Sequence, residues 1–212
     1  QYLAERHKGQ KVAIIHDRTS ASRAIADAAS DALLKAGMPP PITATVIGGD
    51  KDFPVLIAKI KSAAAIFYAG YPLEAGMLFT QLRKAGSSAA FLMTSSNGTN
   101  EFTDTFRGDT AGALVMRPRF GLSDTEGTAE MRRDAADSTL AEDAVTTYAA
   151  AANTASSVNT DSVAGELAAR AYTTAHGAVQ FDGSGEAKRP SYDIYSWTGQ
   201  NWEADSSAPL NR

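Results

Sequence analysis

Apolar residues in the first 120 positions fall into short continuous runs, separated by longer stretches with helical spacing. A short continuous apolar run is typical of a strand covered on both faces, and recurrence at helical spacing indicates an amphipathic helix. Strands and helices that alternate in this way are typical of βαβ units and a parallel sheet. We therefore predict strands at 11–16, 42–47, 64–69, 90–94 and 112–116, with later helices at 52–62, 72–85 and 101–106.

The first predicted helix follows the strand at 11–16. Thr19 or Ser20 can cap its start, because a hydroxyl oxygen accepts a hydrogen bond from a free backbone N–H of the first turn. Gly37 is expected to end the helix, since glycine readily adopts the left-handed backbone of a helix C-terminus. The apolar face predicted for this helix comprises Ala24, Ala28, Ala32 and Leu33.

The pattern changes after residues 117–120. Residues 123–175 have nearly continuous helical spacing, but Ala, Ser and Thr dominate there and Leu, Ile and Phe are scarce. At roughly 25 cal/mol per Å² of buried apolar surface, alanine-faced helices gain too little to offset chain ordering unless a larger partner covers them. We therefore expect a missing part of the fold or a loosely held segment. Strand patterns return at 178–181 and 192–197, with a hairpin-type turn at 182–185 and a frayed end at 205–212.

Composition excludes several classes of function. Cysteine is absent, which excludes disulfides, thiolate catalysis and Cys-ligated metal. The three His lack a second ligand at helical spacing, so we expect no metal site. The 20 basic residues are scattered and the net charge is −4, which argues against nucleic-acid binding. No window has the roughly 18 apolar residues of a membrane span, and residues 1–10 lack a signal-peptide core, so we expect a chain already processed or cut.

Candidate chemistry is confined to loops. Neither a nucleotide-binding glycine loop nor a G-x-S-x-G motif occurs in the sequence, so we expect no cofactor, no catalytic residues and no enzymatic activity. In open parallel sheets, ligands bind outside the carboxyl ends of the strands. The sequence therefore predicts a small-molecule surface formed by the loops at 17–21, 69–74, 94–98 and 117–120.

Individual residues in these loops have competing interpretations. His16 and Asp17 are adjacent on a strand end and favour a loop-fixing role over acid–base chemistry. Tyr71 follows a glycine where its ring can stack on a ligand, or it packs against the neighbouring loop. Glu74 lies in a first helical turn, where the helix dipole favours a stabilising role over a ligand contact. Three polar residues can equally bind a ligand or cap a helix: Ser95, Ser96 and Asn97.

Four segments together resemble a known family. In chain order they are KVAIIHDRTS, GGDKDFPVLIAKIKSA, AIFYAGYPLEAGMLFTQLRKAG and AVQFDGSGEAKRPSYDIYSW. Their order and spacing, from about residue 1 to 203, resemble the second part of periplasmic substrate-binding proteins of the branched-chain amino-acid (Leu/Ile/Val) type. The resemblance implies an α/β fold with a Rossmann-like parallel sheet flanked by helices: one lobe of a type I periplasmic binding protein plus part of its partner lobe.

The resemblance also implies a domain organisation. Residues 1–120 correspond to the second ligand-binding lobe, and 121–190 to helices and a strand of an incomplete first lobe. Residues 191–204 correspond to return strands of the second lobe, and 205–212 to a tail. The N-terminal half of the first lobe is absent on this interpretation, so a missing segment or a second chain is expected as a partner.

The family's ligand site can be transferred only in part. The family often has an aromatic residue where this chain has Ala21, and an acidic residue, which meets the ligand's ammonium, where it has Ser96 or a neighbour. The Gly-Tyr pair is kept. We therefore expect a ligand that is not a simple zwitterionic amino acid, or weakened binding. The predicted ligand-binding residues are Ala21, Gly70, Tyr71, Ser95, Ser96 and Asn97.

The family's function is the leading hypothesis. It implies a periplasmic solute-binding component of an ABC importer, which captures an amino acid or an amide-like small polar solute by hinge closure of two lobes. Its partners would be the ligand and the membrane subunits of the transporter. Two alternatives stay open: a ligand-sensing domain of a receptor or regulator, and an isolated lobe without ligand.

Overall fold

The structure is a computed structural model that describes residues 1–104, 112–118, 129–175, 177–185, 187–188 and 192–205. The chain divides into two compact units. Unit 1 comprises Gln1–Arg117 with Asp193–Arg212, and unit 2 comprises Pro118–Tyr192. Within the described ranges, no helix is both long enough and apolar enough to cross a membrane. Predicted features at 105–106, 119–120, 123–128 and 206–212 lie outside the described residues.

Helices and strands alternate through the first half of the chain, as the hydrophobic pattern predicts. The ends of the predicted strands, and of the helices predicted at 52–62, 72–85 and 101–106, are shifted by no more than two residues where the structure describes them. In chain order the elements are α1 (Tyr2–Arg6), β1 (Val12–His16), α2 (Ser20–Lys35), β2 (Ile42–Thr45), α3 (Pro54–Ile60), β3 (Ala65–Ala69), α4 (Pro72–Lys84), β4 (Ala90–Met93), a 3₁₀ turn (Ser95–Asn97), α5 (Asn100–Asp104), β5 (Ala113–Pro118), α6 (Ala129–Ala155), α7 (Thr160–Ala169), β6 (Tyr172–Thr174), β7 (Gly177–Val179), β8 (Tyr192–Trp197) and β9 (Trp202–Ala204).

Unit 1 is built on a seven-stranded sheet with the order β2-β1-β3-β4-β5-β8-β9. The pairs β1–β2, β1–β3, β3–β4 and β4–β5 are parallel, and β8–β9 is antiparallel. All residues of β1 and β3 are buried, as expected for central strands covered by helices on both faces. The predicted α/β fold with a parallel sheet flanked by helices is confirmed.

The core lies on both faces of this sheet. On one face, Ile14 and Phe67 pack with Leu3 of α1 and with Ala26 and Leu33 of α2. Side chains alternate along each strand, so the intervening residues face the opposite layer. An aromatic chain fills that layer, with ring centroids 5.5 to 6.0 Å apart along Tyr68–Phe91, Phe91–Phe79 and Phe79–Phe102.

The predicted apolar face of α2 is confirmed for Leu33 and wrong for its three alanines. Ala24, Ala28 and Ala32 are exposed. The buried residues of this helix are instead Ser22, Ala26 and Leu33. An alanine methyl group buries so little area that it does not fix the orientation of a helix, and here Leu33 sets the buried face. The caps agree with the prediction, because Thr19 accepts from the Ser22 N–H and Gly37 has a φ of 74°.

Unit 2 contains α6, α7 and the antiparallel pair β6–β7. The predicted helix continuity of 123–175 is wrong at its end, where Tyr172 and Thr174 are buried and Thr173 is exposed. This period of two, with an aromatic and β-branched residues, favours a strand over a helix. Among the residues whose burial the structure describes, its core cluster comprises Ala151, Val163 and Tyr172, with Ala150, Ala152 and Leu167 packed against them. The predicted turn at 182–185 is confirmed by a 3.1 Å hydrogen bond from Gly185 N to Asp182 O.

Helix α1, which the sequence pattern did not indicate, is tied to the last strand of the sheet. The Tyr2 hydroxyl donates to Asp205 Oδ2 at 3.0 Å, and Asp205 N donates to Ile194 O of β8 at 2.7 Å. Burial, and then the Asp205 carboxylate, raises the pKa of Tyr2 to about 12 from an ordinary value of 10.0. The folded chain therefore holds this proton more tightly than the unfolded chain does.

This difference predicts a loss of stability at high pH. The unfolded Tyr2 releases its proton near its ordinary pKa. The contribution of the protonated Tyr2 to the free energy of unfolding is therefore full below about pH 10 and is lost as the pH rises towards 12. We expect Tyr2→Phe to abolish this part of the pH dependence. Urea unfolding at pH 8 and pH 11 should therefore show a smaller difference for the variant than for the unchanged chain. Equal differences in the two proteins would contradict the prediction.

Strand β2 lies at one edge of the sheet, beside a groove of about 540 Å³. A free strand edge is a template for pairing with another chain, and short strands, prolines and lysines are common protections. All three occur here, because β2 has four residues, follows Pro39–Pro41, and has its Thr43 carbonyl bonded by Lys59 Nζ at 2.8 Å.

We expect Lys59→Ala to promote self-association through the β2 edge. The Thr43 carbonyl would then be free for another strand, and the association constant should rise by roughly tenfold, the size of one modest hydrogen bond. Sedimentation velocity over a concentration series measures this change. Lys61→Ala is the matched control, because Lys61 is also exposed and follows the same helix. A variant at Lys59 that behaves like the control would show that the lysine does not protect the edge.

Candidate functional site

The carboxyl ends of β1, β3 and β4 lie side by side in the sheet. The chain leaves β1 for β2 on one side and returns to β3 on the other, so the strand order reverses between β1 and β3. Such a switch point opens a crevice between the loops that follow the two strands, and it is where open α/β sheets bind ligands. Five of the six predicted binding residues lie in loops that follow β3 or β4, and Ala21 lies at the start of α2.

The loop after β1 is held by its own polar groups. Asp17 Oδ1 accepts from the Thr19 N–H at 3.0 Å, from the Thr19 hydroxyl at 2.8 Å and from the Ser22 hydroxyl. Burial opposes ionisation of Asp17, but the hydrogen bonds from Ser22 and Thr19 outweigh it and lower the pKa of this carboxyl. His16 is buried, and its Nδ1 accepts from the N–H of Arg18, which has a φ of 71°. These contacts agree with a loop-fixing role for His16 and Asp17.

Ala21 is the second residue of α2 and its methyl group is exposed. The backbone N–H of Asp17 donates to Ala69 O of β3 at 3.2 Å, which connects the loop after β1 to the end of β3. Ala21 therefore lies one turn beyond the point where the two strand ends meet. Its small side chain leaves the surface of α2 open at this end.

The loop after β3 presents one large aromatic ring. Tyr71 is 57% exposed, although it follows a fully buried strand. The hydroxyl of the fully buried Tyr68 donates to Tyr71 O at 3.2 Å, and the Ala75 N–H donates to the same oxygen at 3.2 Å. Burial, and then the charges of Glu74 and Asp17, raise the pKa of Tyr68 above its usual value, so the hydroxyl stays protonated and donates.

Gly70 fits this loop because it has no side chain. A Cβ atom at Gly70 would lie 2.7 Å from the hydroxyl oxygen and 2.9 Å from Cζ of Tyr68. Real Cβ atoms essentially never approach other heavy atoms that closely. The close approach of the loop to Tyr68 therefore requires glycine at this position.

The loop after β4 forms the 3₁₀ turn. Asn97 is fully buried, and its Nδ2 donates to Gly70 O at 3.1 Å and to the Thr94 hydroxyl at 2.9 Å. Ser95 is partly buried and Ser96 is exposed, with its hydroxyl 3.1 Å from that of Thr94. The structure thus places Gly70 and Asn97 in direct contact, and Ser96 is the exposed residue of the 3₁₀ turn.

Two further contacts support these loops, and the sequence alone did not reveal either of them. Glu74 is buried, and its Oε1 accepts from the Gly49 N–H at 2.6 Å, so it joins α4 to the turn after β2. Arg117 Nη2 of β5 donates to Gly98 O, directly after the 3₁₀ turn, at 3.2 Å. Both contacts join residues distant in sequence, whereas the helix-dipole argument for Glu74 considers only its own helix.

The electrostatics of the three loops follow from these contacts. Segments 17–21, 69–74 and 94–98 contain two carboxylates, Asp17 and Glu74, and both accept hydrogen bonds from the protein. The exposed residues of these segments are mostly uncharged, namely Thr19, Ser20, Ala21, Tyr71, Leu73 and Ser96, with Arg18 as the charged one. Among the residues whose positions are described, no group of three or more His, Asp or Glu could hold a metal ion. This surface can stack against and hydrogen-bond a small solute without covalent chemistry.

Curated proteins of similar sequence bind amino acids, according to their names. A Leu-, Ile-, Val-, Thr- and Ala-binding protein of Pseudomonas aeruginosa is 28% identical over 207 residues, which is 93% of this chain and 56% of that protein. A Leu/Ile/Val-binding protein homologue of Brucella abortus is 29% identical over 208 residues, with the same two coverages. The chain therefore spans little more than half the length of the relatives that it matches.

Solved structures show the same fold. A leucine-binding protein of Thermotoga maritima superposes with a TM-score of 0.71 at 18% identity, over 96% of this chain and 62% of that one. A branched-chain amino-acid transporter substrate-binding protein of Streptococcus pneumoniae, in complex with isoleucine, gives 0.62 at 22% identity, over 98% and 63%. The sequence profile of the periplasmic binding protein family matches residues 1–201. The chain has the type I periplasmic binding protein fold and belongs to the periplasmic binding protein family.

Proposed function

We propose that this chain forms one wall of the ligand cleft of a solute-binding protein that serves an ABC importer. The wall comprises the loops after β1, β3 and β4, and its ligand is an amino acid or a related small polar solute. The observation that carries the proposal is the exposed Tyr71 residue, which follows β3 at the switch point of the sheet, where Asn97 joins its loop to the loop that contains Ser95 and Ser96. The names of the relatives support an amino-acid-like ligand.

The second wall of the cleft would come from polypeptide outside the 212 residues. Unit 2 supports this proposal, because the described part of α6 has exposed apolar side chains. Val145 and Tyr148 of α6 are 69% and 49% exposed, a surface that further chain could cover. Unit 1 would then be the second lobe of the protein, and unit 2 a part of the first.

The proposed solute-binding protein acts by binding its ligand and closing about a hinge, without catalysis. Two lobes that close on a solute exclude water from it, and the closed form is then recognised by the membrane subunits of the importer. Such a protein works outside the cytoplasmic membrane, in the periplasm. Ligand contacts would be made by Tyr71, Ser95 and Ser96, with Ala21 leaving room beside them.

A solute without an ammonium group is a second candidate, favoured by the electrostatics of the wall. Asp17 and Glu74 already accept hydrogen bonds from the protein, and Ser96 carries no charge. A desolvated ammonium without a carboxylate partner loses a charge-assisted hydrogen bond. If the ligand has no ammonium group, 4-methylpentanoate, which is leucine without its amino group, should bind at least as tightly as leucine.

Calorimetric titration tests the proposal. The ligands are leucine, isoleucine, valine, threonine, alanine, γ-aminobutyrate and 4-methylpentanoate. The proteins are the unchanged sequence and Tyr71→Ala, each within the longer protein that supplies the second wall. We expect saturable binding of at least one ligand. Tyr71→Ala should weaken this binding roughly 10- to 100-fold, because the contact between the aromatic ring and the ligand is lost. Tyr192→Ala is the control, because Tyr192 is a similarly exposed tyrosine that lies outside the three loops. Absence of binding by every ligand, or equal binding by both proteins, contradicts the proposal.

A further inference from the structure

Two buried polar side chains donate hydrogen bonds to the backbone carbonyls of two adjacent residues. The pair is Gly70–Tyr71, whose carbonyl oxygens accept from Asn97 Nδ2 at 3.1 Å and from the Tyr68 hydroxyl at 3.2 Å respectively. Both donors have no exposed surface. The exposed Tyr71 ring is thus mounted on a backbone that is fixed from inside the protein.

The hydroxyl of Tyr68 is not needed for packing. The ring lies 5.9 Å from that of Phe91 in a stacked arrangement, and a phenylalanine would fill the same place. A buried hydroxyl costs free energy unless it is hydrogen-bonded, so the Tyr68 hydroxyl is tolerated here because Tyr71 O accepts from it. This oxygen is also the first acceptor of α4, from Ala75 N, so Tyr68 fixes the start of that helix as well.

Burying the Asn97 side chain costs more free energy than burying the Tyr68 hydroxyl, because an amide is costlier to bury than a hydroxyl. Its Nδ2 bonds Gly70 O and the Thr94 hydroxyl, whereas its Oδ1 is buried with no hydrogen-bond partner in the described part of the chain. Packing alone would favour an apolar residue at this site. The contact that Asn97 adds is the one between the loops after β4 and β3.

The missing side chain of Gly70 completes the arrangement. Only a residue without Cβ lets this backbone lie against the Tyr68 hydroxyl. Three residues thus hold two successive peptide units in place: Gly70 provides the space, Asn97 donates to the carbonyl of Gly70 and Tyr68 donates to that of Tyr71. A loop fixed in its bound conformation loses less entropy on binding, which raises affinity without any new contact to the ligand.

We propose that Tyr68 and Asn97 are positioning residues, which hold Gly70–Tyr71 as a preformed aromatic platform for the ligand. The ligand role rests on the proposed function, whereas the fixed conformation of the loop does not. Asn97 therefore acts beneath the wall and does not contact the ligand. Neither residue is expected to change which ligand binds, only how tightly it binds.

The test combines a measurement without ligand and one with L-leucine, both on the longer protein that supplies the second wall. Tyr68→Phe removes only the hydroxyl, and Tyr2→Phe is the matched control, because it removes a hydrogen-bonded tyrosine hydroxyl elsewhere in unit 1. Amide hydrogen exchange of peptides that cover 69–76 should be faster in Tyr68→Phe than in the control. The dissociation constant for leucine should rise about 2- to 10-fold, the value of one hydrogen bond, with a melting temperature close to that of the control.

Asn97→Asp gives a second variant, because it has the same shape but lacks the donors to Gly70. It should show the same two changes, and Tyr68→Phe decides the question if this variant does not fold. Unchanged exchange in Tyr68→Phe overturns the fixed loop. Faster exchange with an unchanged leucine constant overturns the positioning role. Faster exchange in a chain that binds no leucine supports the fixed loop, and contradicts the proposed function for this ligand.

Discussion

Replacing Gly70 by alanine is expected to lower the free energy of unfolding by about 1 to 3 kcal/mol, the usual cost of overpacking a core. The added Cβ would lie 2.7 Å from the Tyr68 hydroxyl oxygen, and Tyr68 has no exposed side into which it could move. Its hydrogen bond to Tyr71 would be strained or lost as well. For a chain of this size the melting temperature should fall by roughly 2 to 12 °C. Thermal and urea unfolding measure the change.

The chain offers a matched control for this substitution. A Cβ at Gly48 would meet no atom within 4 Å, and Gly48 has no positive φ, so Gly48→Ala should leave stability almost unchanged. Combining Gly70→Ala with Tyr68→Phe removes the closest contact, so the double variant should lose less than the sum of the single losses. Additive losses would show that the clash with the Tyr68 hydroxyl is not the cause.

The fold could be predicted from the sequence because its signals are local and large. Four continuous apolar runs and the alternating run at 42–47 predict the parallel strands, and the position of the candidate site follows from those strands, since ligands bind at their carboxyl ends. The buried face of α2 could not be predicted, because Ala24 and Ala26 differ in burial but not in hydrophobicity. Strand β6 could not be predicted, because its period of two is one of burial, and the residues Tyr172–Thr174 do not alternate between apolar and polar in the sequence.

The support of the site could not be predicted for a different reason. A strand pattern indicates that Tyr68 is buried, but the target of its hydroxyl depends on how the chain turns at Gly70. The contacts of Asn97 with Gly70 and of Glu74 with Gly49 join residues 27 and 25 positions apart. Such contacts follow from the assembled sheet, and no spacing rule within one element reveals them. Ser95, Ser96 and Asn97 look alike in sequence, yet only Asn97 is fully buried.

Ser96→Glu is expected to create or strengthen binding of an amino acid. Ser96 is the exposed residue of the 3₁₀ turn, at the position where the resemblance to the family implies an acidic residue. A carboxylate there could accept a charge-assisted hydrogen bond from the ligand's ammonium, worth about 1.5 to 3 kcal/mol. Affinity for leucine should therefore rise roughly 10- to 150-fold, as measured by calorimetric titration.

Two comparisons separate the charge of the new residue from its size. Ser96→Gln has nearly the shape of Ser96→Glu without the charge, so it should gain little affinity for leucine. The ligand 4-methylpentanoate has no ammonium and should bind Ser96→Glu no better than the unchanged chain, or more weakly because two carboxylates then approach each other. Equal gains for leucine in the two variants would mean that size rather than charge limits binding. A gain confined to Ser96→Glu and leucine would show that the native wall lacks only the ammonium partner, with Tyr71 already in place.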